Sequence, residues 1–155
     1  MVTCYYQTKI GRIKIAQEGD AIVEINVTES EKESEKETPL IKKTIKELEE
    51  YFEGKRKFFD IPISIKGTEF QEKVWEALSR IPYGETKSYE DIAKMIGCPK
   101  GARAVGMANH NNKIIIIIPC HRVIGKNGKL IGYAGGLPVK EKLLQIESNY
   151  KLKWN

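Results

Sequence analysis

The stretch I-I-I-I-I-P-C-H-R-V-I at residues 114–124 joins a long β-branched run to a thiol and an imidazole. Five consecutive isoleucines suit a strand that is buried on both faces. Pro119 would end this strand, because proline has no N–H to donate to a ladder. Cys120 and His121 follow at once, so the sequence predicts a rigid strand that presents a nucleophile and a base at its end.

Cys120 allows two interpretations. A lone cysteine is most often a small buried hydrophobic residue. Here His121 and Arg122 stand beside it, and cationic neighbours lower the pKa of a thiol and make thiolate available. The local chemistry therefore favours a reactive Cys120.

Size and cysteine usage limit the possible classes of protein. A chain of 155 residues can bury a core in one domain or in two small ones. Cys4, Cys98 and Cys120 are scattered without C-x-x-C spacing, which predicts free thiols in a reducing, cytoplasmic compartment. Only His110 and His121 could join them, so no metal site is predicted. We find neither an apolar run long enough to cross a bilayer nor the apolar segment of a signal peptide.

The net charge of +5 is unevenly distributed. Residues 1–65 hold 11 Lys/Arg and 13 Asp/Glu, a net charge of −2, whereas residues 66–155 hold 15 and 8, a net charge of +7. A polyanion-binding half joined to a neutral half would show this asymmetry. Lysine-rich surfaces also keep proteins soluble. The charge asymmetry therefore indicates a nucleic-acid partner only in combination with a DNA-binding motif.

Residues 1–65 are predicted to form an N-terminal α/β domain, a β-meander plus a helix. Apolar residues at helical spacing predict the helix over 40–52, and Gly54 ends it. The charge run at 29–37 is expected to be an exposed loop or the start of a solvated helix, and Pro62 suggests an edge strand or linker near 61–65. Turn residues separate the three short segments of the meander, Thr3–Thr8, Gly11–Gln17 and Ala21–Val27.

Residues 66–155 are predicted to form a helical second domain. Thr68 and Gln71 form a capping-box pattern before a helix whose apolar face includes Val74, Trp75, Leu78 and Ile81. Ser88 is a good N-cap for a helix over Tyr89–Ile96, and after a Gly-Cys-Pro turn a second helix runs from Lys100 to about Asn109. Helix, tight turn and helix form the helix-turn-helix pattern. A polar turn is expected at 109–112, and a last helix from Pro138 to about Ser148.

The second helix of this pair has unusually small side chains. They allow close approach to another surface, or equally close packing inside the domain, and the sequence leaves both open. The small residues are Gly101, Ala102, Ala104, Gly106 and Ala108.

Four motifs together resemble the O6-alkylguanine-DNA alkyltransferases, the suicide DNA-repair proteins. They are P-C-H-R-V-I at 119–124, Y-A-G-G at 133–136, A-R-A-V-G at 102–106 and E-Y-F-E-G-K-R-K-F-F-D at 50–60. The resemblance implies an α/β (α+β) fold. In such a fold, a small ribonuclease-H-like domain precedes a mainly helical, winged-helix-like catalytic DNA-binding domain with a helix-turn-helix.

The same resemblance implies the activity. The alkyl group of O6-methylguanine in double-stranded DNA would pass irreversibly to Cys120, once per molecule and with no cofactor. The protein would bind the minor groove as a monomer and evert the damaged base into its pocket.

The roles of the family's functional residues are assigned only to those positions of this sequence that match the family's motifs. His121, held by Glu147, would take the proton of Cys120 through a water, because neighbours in a strand point to opposite faces. Arg103 matches the arginine that enters the base stack, and Tyr89 matches the tyrosine that rotates the target nucleotide. Without the motif, Arg103 would be a phosphate contact or surface charge, Tyr89 a packing residue and Glu147 a surface glutamate.

Further matches concern the pocket and the DNA-binding helix. Asn112 matches a hinge between the recognition helix and the active-site strand, and Tyr133, Ala134 and Gly135 would line the base pocket. The DNA-binding helix would present Ala102, Arg103 and Gly106. Lys113 and Ile115 stand where the family usually has prolines, and Ala134 where it often has serine.

Two other classes of protein share some of these features. A cysteine hydrolase also uses Cys and His, but it needs a turnover route and gives no reason for a helix-turn-helix. A non-catalytic protein that binds alkylated DNA would lack the thiol, so Cys120 argues against it.

Overall fold

The structure is a computed structural model that describes residues 1–128, 133 and 135–154. The chain divides into two compact units, Met1–Ile65 and Lys66–Asn155. The first combines a sheet with a helix and the second is mainly helical, which confirms the predicted α/β (α+β) class. Within the described residues, no helix is both long and apolar enough to span a membrane.

The first unit contains the predicted antiparallel meander. Its strands are β1 (Val2–Thr8), β2 (Gly11–Glu18) and β3 (Ala21–Val27), in the spatial order β1-β2-β3. Ile13 and Ile15 alternate along β2 and are fully buried, as the sequence pattern predicts.

One helix covers this sheet and one extended segment borders it. Helix α1 (Pro39–Phe52) begins at Thr38, whose side chain accepts a hydrogen bond from the Ile41 N–H at 3.0 Å. Ile22 of β3 exchanges two 2.9 Å backbone hydrogen bonds with Pro62 and Ser64, which confirms the expected edge pairing. The charge run at 29–37 forms an irregular loop, not a helix.

The second unit contains the predicted helix-turn-helix. Helix α2 (Glu69–Leu78) begins at a complete capping box, and Ile81 lies beyond its end although it is buried. A short strand, β4 (Lys87–Ser88), leads into helix α3 (Tyr89–Met95), which Ser88 and Asp91 cap in the same way. Helix α4 (Ala102–His110) is the second helix of the pair.

The elements that follow α4 contain most of the candidate site residues. A 3-10 helix (Cys120–Arg122) leads into strand β5 (Val123–Ile124), which pairs in parallel with β4. Helix α5 (Leu137–Tyr150) then covers the 3-10 helix, and a second 3-10 helix (Lys151–Trp154) follows it.

The predicted strand over the five isoleucines is wrong. The run folds into a tight turn, in which the Ile118 N–H donates to the Ile114 carbonyl at 3.1 Å. Ile116 has φ = +74°, a left-handed conformation that a β-branched residue adopts only under strain. Four of the five side chains are nevertheless buried, so packing satisfies their hydrophobicity without a ladder. Cys120 and His121 therefore lie on a 3-10 helix and not at a strand end.

The predicted polar turn at 109–112 is also partly wrong. Asn109 and His110 belong to the last turn of α4, and Asn109 and Asn112 are buried. Their amides serve the turn that precedes Cys120, which explains how polar side chains are accommodated in the core.

Candidate active site

Cys120 is fully buried at the start of its 3-10 helix, and two asparagine side chains fix its position. The Asn112 Nδ2 group lies 3.1 Å from the Cys120 sulfur and donates to the Ile118 carbonyl at 2.9 Å. Its Oδ1 accepts from the Ile114 N–H at 3.0 Å. Asn109 Nδ2 donates to the Cys120 carbonyl at 3.3 Å. These bonds replace the strand ladder that the sequence predicts.

The expected lowering of the Cys120 pKa is wrong. Burial raises the pKa of this thiol to about 11, although the Asn112 hydrogen bond and the Lys140 charge both oppose the shift. Arg122 does not supply the cationic neighbour, because its guanidinium is bound to Glu147. The thiol is therefore protonated near neutral pH and needs a base before it can act as a nucleophile.

A buried ionic cluster holds the imidazole next to that thiol in the chain. His121 Nε2 lies 2.6 Å from Glu147 Oε2, and both side chains are almost wholly inaccessible. Arg122 binds the same carboxylate with two nitrogens, at 2.9 and 3.0 Å, and its third nitrogen donates to the Ile81 carbonyl at 2.6 Å. The Gly84 N–H donates to Glu147 Oε1 at 3.1 Å. The carboxylate is thus compensated from several sides, as a buried charge must be.

The protonation states in this cluster follow from the hydrogen bonds. Burial alone would raise the pKa of Glu147, but the charges and hydrogen bonds of His121 and Arg122 hold it well below its ordinary value. A carboxylate only accepts, so His121 Nε2 must carry the hydrogen and Nδ1 the lone pair. Burial lowers the pKa of His121 and outweighs the opposing effect of Glu147. Its Nδ1 is buried without a hydrogen-bond partner in the described part of the chain, so it is available as a proton acceptor.

Three more side chains surround the thiol. Tyr89 is buried, and burial together with the Cys120 charge raises its pKa to about 12, which keeps its hydroxyl protonated. The Lys140 ammonium lies 5.9 Å from the centre of the Tyr89 ring and is fully buried. Burial lowers the pKa of Lys140 to about 8, against the opposing attraction of the Cys120 thiolate. Burial also raises the pKa of Tyr133 well above its ordinary value.

Gly135 and Gly106 allow the rings of Tyr133 and Tyr89 to lie close to the backbone. A Cβ at Gly135 would lie 2.8 Å from the Tyr133 ring, so a larger residue would displace that ring. A Cβ at Gly106 would meet the Tyr89 ring at 3.8 Å, which is ordinary contact. Gly106 therefore faces the site from α4, whereas Ala134 lies outside the described residues.

The residues that the sequence predicts for DNA binding lie on helix α4. Arg103 and Ala104 are exposed, Ala102 is partly exposed, and Val105 and Ala108 pack inward. The Trp75 indole N–H donates to the Ala108 carbonyl at 2.9 Å and fixes the helix. The small residues thus fit both interpretations. Ala108 packs closely inside the unit, whereas the exposed Ala104 would allow another surface to approach the helix closely.

The structure brings most predicted residues together and adds others. Cys120 has Asn112, Tyr89 and Tyr133 around it, whereas Arg103 lies apart on the exposed face of α4. Sequence reasoning missed Lys140 and assigned no structural role to Asn109, Gly84 or Arg122. One signal could have found Lys140: residues 140, 143 and 147 share one face of α5 at spacings of three and four, and two of them are charged. Charge on a core-facing stripe indicates buried ionic chemistry.

Comparison with known proteins identifies the family of this chain. Residues 1–65 match the ribonuclease-like domain of 6-O-methylguanine DNA methyltransferase, and residues 69–149 match its DNA binding domain. The chain belongs to the 6-O-methylguanine DNA methyltransferase family. The ribonuclease-like first domain that the sequence motifs imply is thereby confirmed.

Relatives within the methyltransferase family extend over almost the whole chain. The constitutive methylated-DNA–protein-cysteine methyltransferase of Bacillus subtilis is 49% identical, with 95% of this chain and 96% of the relative covered. The Methanosarcina acetivorans protein of the same name is 45% identical, covering 96% and 99%. A crystal structure of Mycobacterium tuberculosis OGT in complex with DNA has a TM-score of 0.87 at 41% identity, covering 96% of this chain and 93% of that one.

Proposed function

We propose that this protein repairs DNA by direct reversal, as a methylated-DNA–protein-cysteine methyltransferase that acts once per molecule. The observation that carries the proposal is the buried Cys120 beside the His121–Glu147–Arg122 cluster, on a helix-turn-helix unit. The names of relatives at 44–49% identity over most of the chain support the same activity.

The first step is the activation of the thiol. With its pKa raised to about 11, Cys120 must lose its proton to a base as the reaction begins. His121 Nδ1 carries the lone pair that accepts this proton, either directly or through one water. Glu147 stabilises the imidazolium that results, because its carboxylate stays ionised.

The second step is alkyl transfer. The thiolate attacks the methyl carbon of O6-methylguanine, a C–S bond forms, and the C–O6 bond breaks with its electron pair passing to the base. The departing guanine takes up one proton, which balances the proton that Cys120 passed to His121, and hydrogen-bond donors stabilise the base as it leaves. Tyr89, whose hydroxyl stays protonated because its pKa is about 12, is one such donor, and the backbone N–H of Ala134 is expected to be another.

The product explains the single turnover. S-methylcysteine is a thioether, and its carbon has no leaving group that water could displace under mild conditions. Each molecule therefore accepts one alkyl group and needs no cofactor.

DNA binding is assigned to the helix-turn-helix. The target base lies inside a duplex, so it must leave the stack to reach a thiol that is fully buried. We propose that α4 docks in the minor groove as part of a monomer, with Ala102 and Gly106 at the surface of approach. Arg103 then fills the space that the everted nucleotide leaves, with Asn112 holding the active-site turn to the end of α4.

The proposed location is the cytoplasm. A reaction that begins from a free thiol requires that thiol to stay reduced, and the described cysteines Cys4, Cys98 and Cys120 are all free.

Intact mass after mixing with DNA tests the proposal. With a duplex carrying one O6-methylguanine, we expect one methyl group per protein molecule, mapped to Cys120, and no further addition with excess DNA. An identical duplex with guanine should add nothing. Tight binding to the methylated duplex without a gain in mass would show a lesion-binding protein instead and would overturn the catalytic assignment.

A further inference from the structure

The exposed face of α4 contains one large apolar side chain. Met107 is 63% exposed, in the middle of a helix whose inner face is formed by Val105, Ala108 and Asn109. A solvent-facing methionine of this size does nothing for the core of the unit. It stands on the same helix that the proposed function places in DNA.

Met107 and Arg103 form one outward stripe. They are four residues apart, so their side chains lie on the same face and are separated by roughly 6 Å along the helix axis. His110 is exposed three residues further on, which extends the stripe by another turn. Along a DNA groove, roughly 6 Å corresponds to about two base-pair steps.

We infer that Met107 is a DNA-contacting wedge that enters the minor groove about two base-pair steps from Arg103 and helps to open it. This inference rests on the proposed function. Methionine is suited to this place because its unbranched thioether adapts its shape to a surface. Apolar side chains that press between base steps in the minor groove bend the duplex and expose more of it to the protein.

The surroundings of Met107 favour DNA over a protein partner. Its neighbours on the exposed face are Arg103, Ala104 and His110, and no second large apolar side chain stands among them. A protein-binding surface would need a larger apolar patch, whereas a single apolar residue in a slim, basic helix face fits a groove lined by sugars and phosphates. The net charge of +7 over residues 66–155 has the sign that attracts a polyanion.

Met107→Ala separates this role from the chemistry. We expect roughly tenfold weaker binding to duplex DNA at fixed salt, for methylated and unmodified duplexes alike, because burial of one methionine side chain is lost. The salt dependence of binding should stay unchanged, because no phosphate contact is removed. The bend of the duplex, measured by energy transfer between dyes at its two ends, should decrease.

Two controls make the result decisive. Met95→Ala removes the other exposed methionine of the helix-turn-helix, which lies at the end of α3, and should leave affinity and bend unchanged. The rate of methyl transfer from free O6-methylguanine base, which touches no groove, should be the same in wild type and Met107→Ala.

The possible failures are distinguishable. Unchanged DNA affinity and bend in Met107→Ala, with normal methyl transfer to Cys120, would overturn the wedge and leave the proposed function intact. Absence of transfer in the wild-type protein would instead overturn the proposed function. Equal losses in Met107→Ala and Met95→Ala would show a general effect on the helix pair and would also overturn the wedge.

Discussion

Two buried thiols of this protein differ in what surrounds them. Cys4 lies in β1 opposite Ile15, within a regular antiparallel ladder, and its sulfur donates to the Glu35 carbonyl at 3.3 Å. Cys120 follows a strained turn and accepts a hydrogen bond from Asn112. Both are fully buried, and burial raises the pKa of both.

The neighbours make the difference. At Cys4, burial raises the pKa; the Tyr6 hydrogen bond opposes this shift, and Glu37 and Glu35 add to it. At Cys120, the Asn112 amide and the Lys140 charge act against burial, and the next residue, His121, is the base that we propose for the thiol proton. Burial protects a thiol in either place. Only donors, a cation and a base make the protected thiol a nucleophile.

Replacing each thiol in turn should give the largest contrast. Cys120→Ala should accept no methyl group from O6-methylguanine DNA, a loss of at least about a thousandfold in rate, because the nucleophile is gone. Cys4→Ala should accept one methyl group at close to the wild-type rate. Intact mass at timed points measures both, and methyl transfer that survives in Cys120→Ala would place the nucleophile elsewhere.

Removing the carboxylate behind His121 tests whether the base is what distinguishes Cys120. In Glu147→Gln, Arg122 loses its counter-charge and the imidazolium loses its stabilisation, so we expect about a hundredfold slower transfer. The free energy of unfolding should fall by about 3–5 kcal/mol, because a buried charge is left unpaired. Single-turnover rates and denaturant titrations measure the two effects.

The matched control for that variant is Glu47→Gln in the first unit. Glu47 is also buried and also accepts from a backbone N–H, that of Asp60 at 2.9 Å, but no thiol lies in its cluster with Arg56 and Lys43. This variant should lose stability and keep its rate of methyl transfer. A hundredfold slower Glu47→Gln would show that Glu147→Gln acts only by loosening the fold.

Because Glu147 is ionised in the folded state, we expect the stability of the second unit to fall at acidic pH. The pKa of Glu147 is depressed in the folded state, so its stabilising contribution is complete above its unfolded pKa of about 4.3 and is lost as the pH falls below that value. Wild-type protein should therefore lose more stability between about pH 5 and pH 3 than Glu147→Gln does. Parallel loss in the two proteins would assign the acid sensitivity to other carboxylates.

Lys140 offers a smaller, pH-dependent test. Lys140→Met removes the cation that opposes the raised pKa of Cys120, so the pKa of the thiol should rise further and transfer should slow by about tenfold near pH 7. The pKa of Lys140 is about 8, so the wild-type lysine loses its charge above that pH and the deficit of the variant should shrink there. Lys142→Met, an exposed change on the same helix, should show no such pH dependence.

The smallest effect concerns the strained turn before Cys120, which has no counterpart beside Cys4. Ile115→Ala and Ile116→Ala both remove a buried isoleucine, but alanine adopts the positive φ of residue 116 more readily than a β-branched residue does. Ile116→Ala should therefore be less destabilising, by about 1 kcal/mol. Denaturant midpoints measure the difference, and a larger loss in Ile116→Ala would show that strain contributes little.

The sequence predicted the elements that local interactions determine. Thr68 with Gln71 and Ser88 with Asp91 mark helix starts, because a cap is completed within four residues. The meander followed from alternation and turn glycines in the same way. The isoleucine run was mispredicted because β propensity describes a side chain that packs on a pleated surface, and here the turn buries those side chains without one.

What the sequence by itself determined is the helix-turn-helix and the adjacency of Cys120 and His121, together with the motifs that carry the family resemblance. Only the tertiary structure decided the state of that thiol. Glu147 reaches His121 from 26 residues away, and Lys140 reaches the thiol from the same helix. Whether burial raises a pKa more than its neighbours lower it depends on how these elements pack, and that balance is not written in any local stretch.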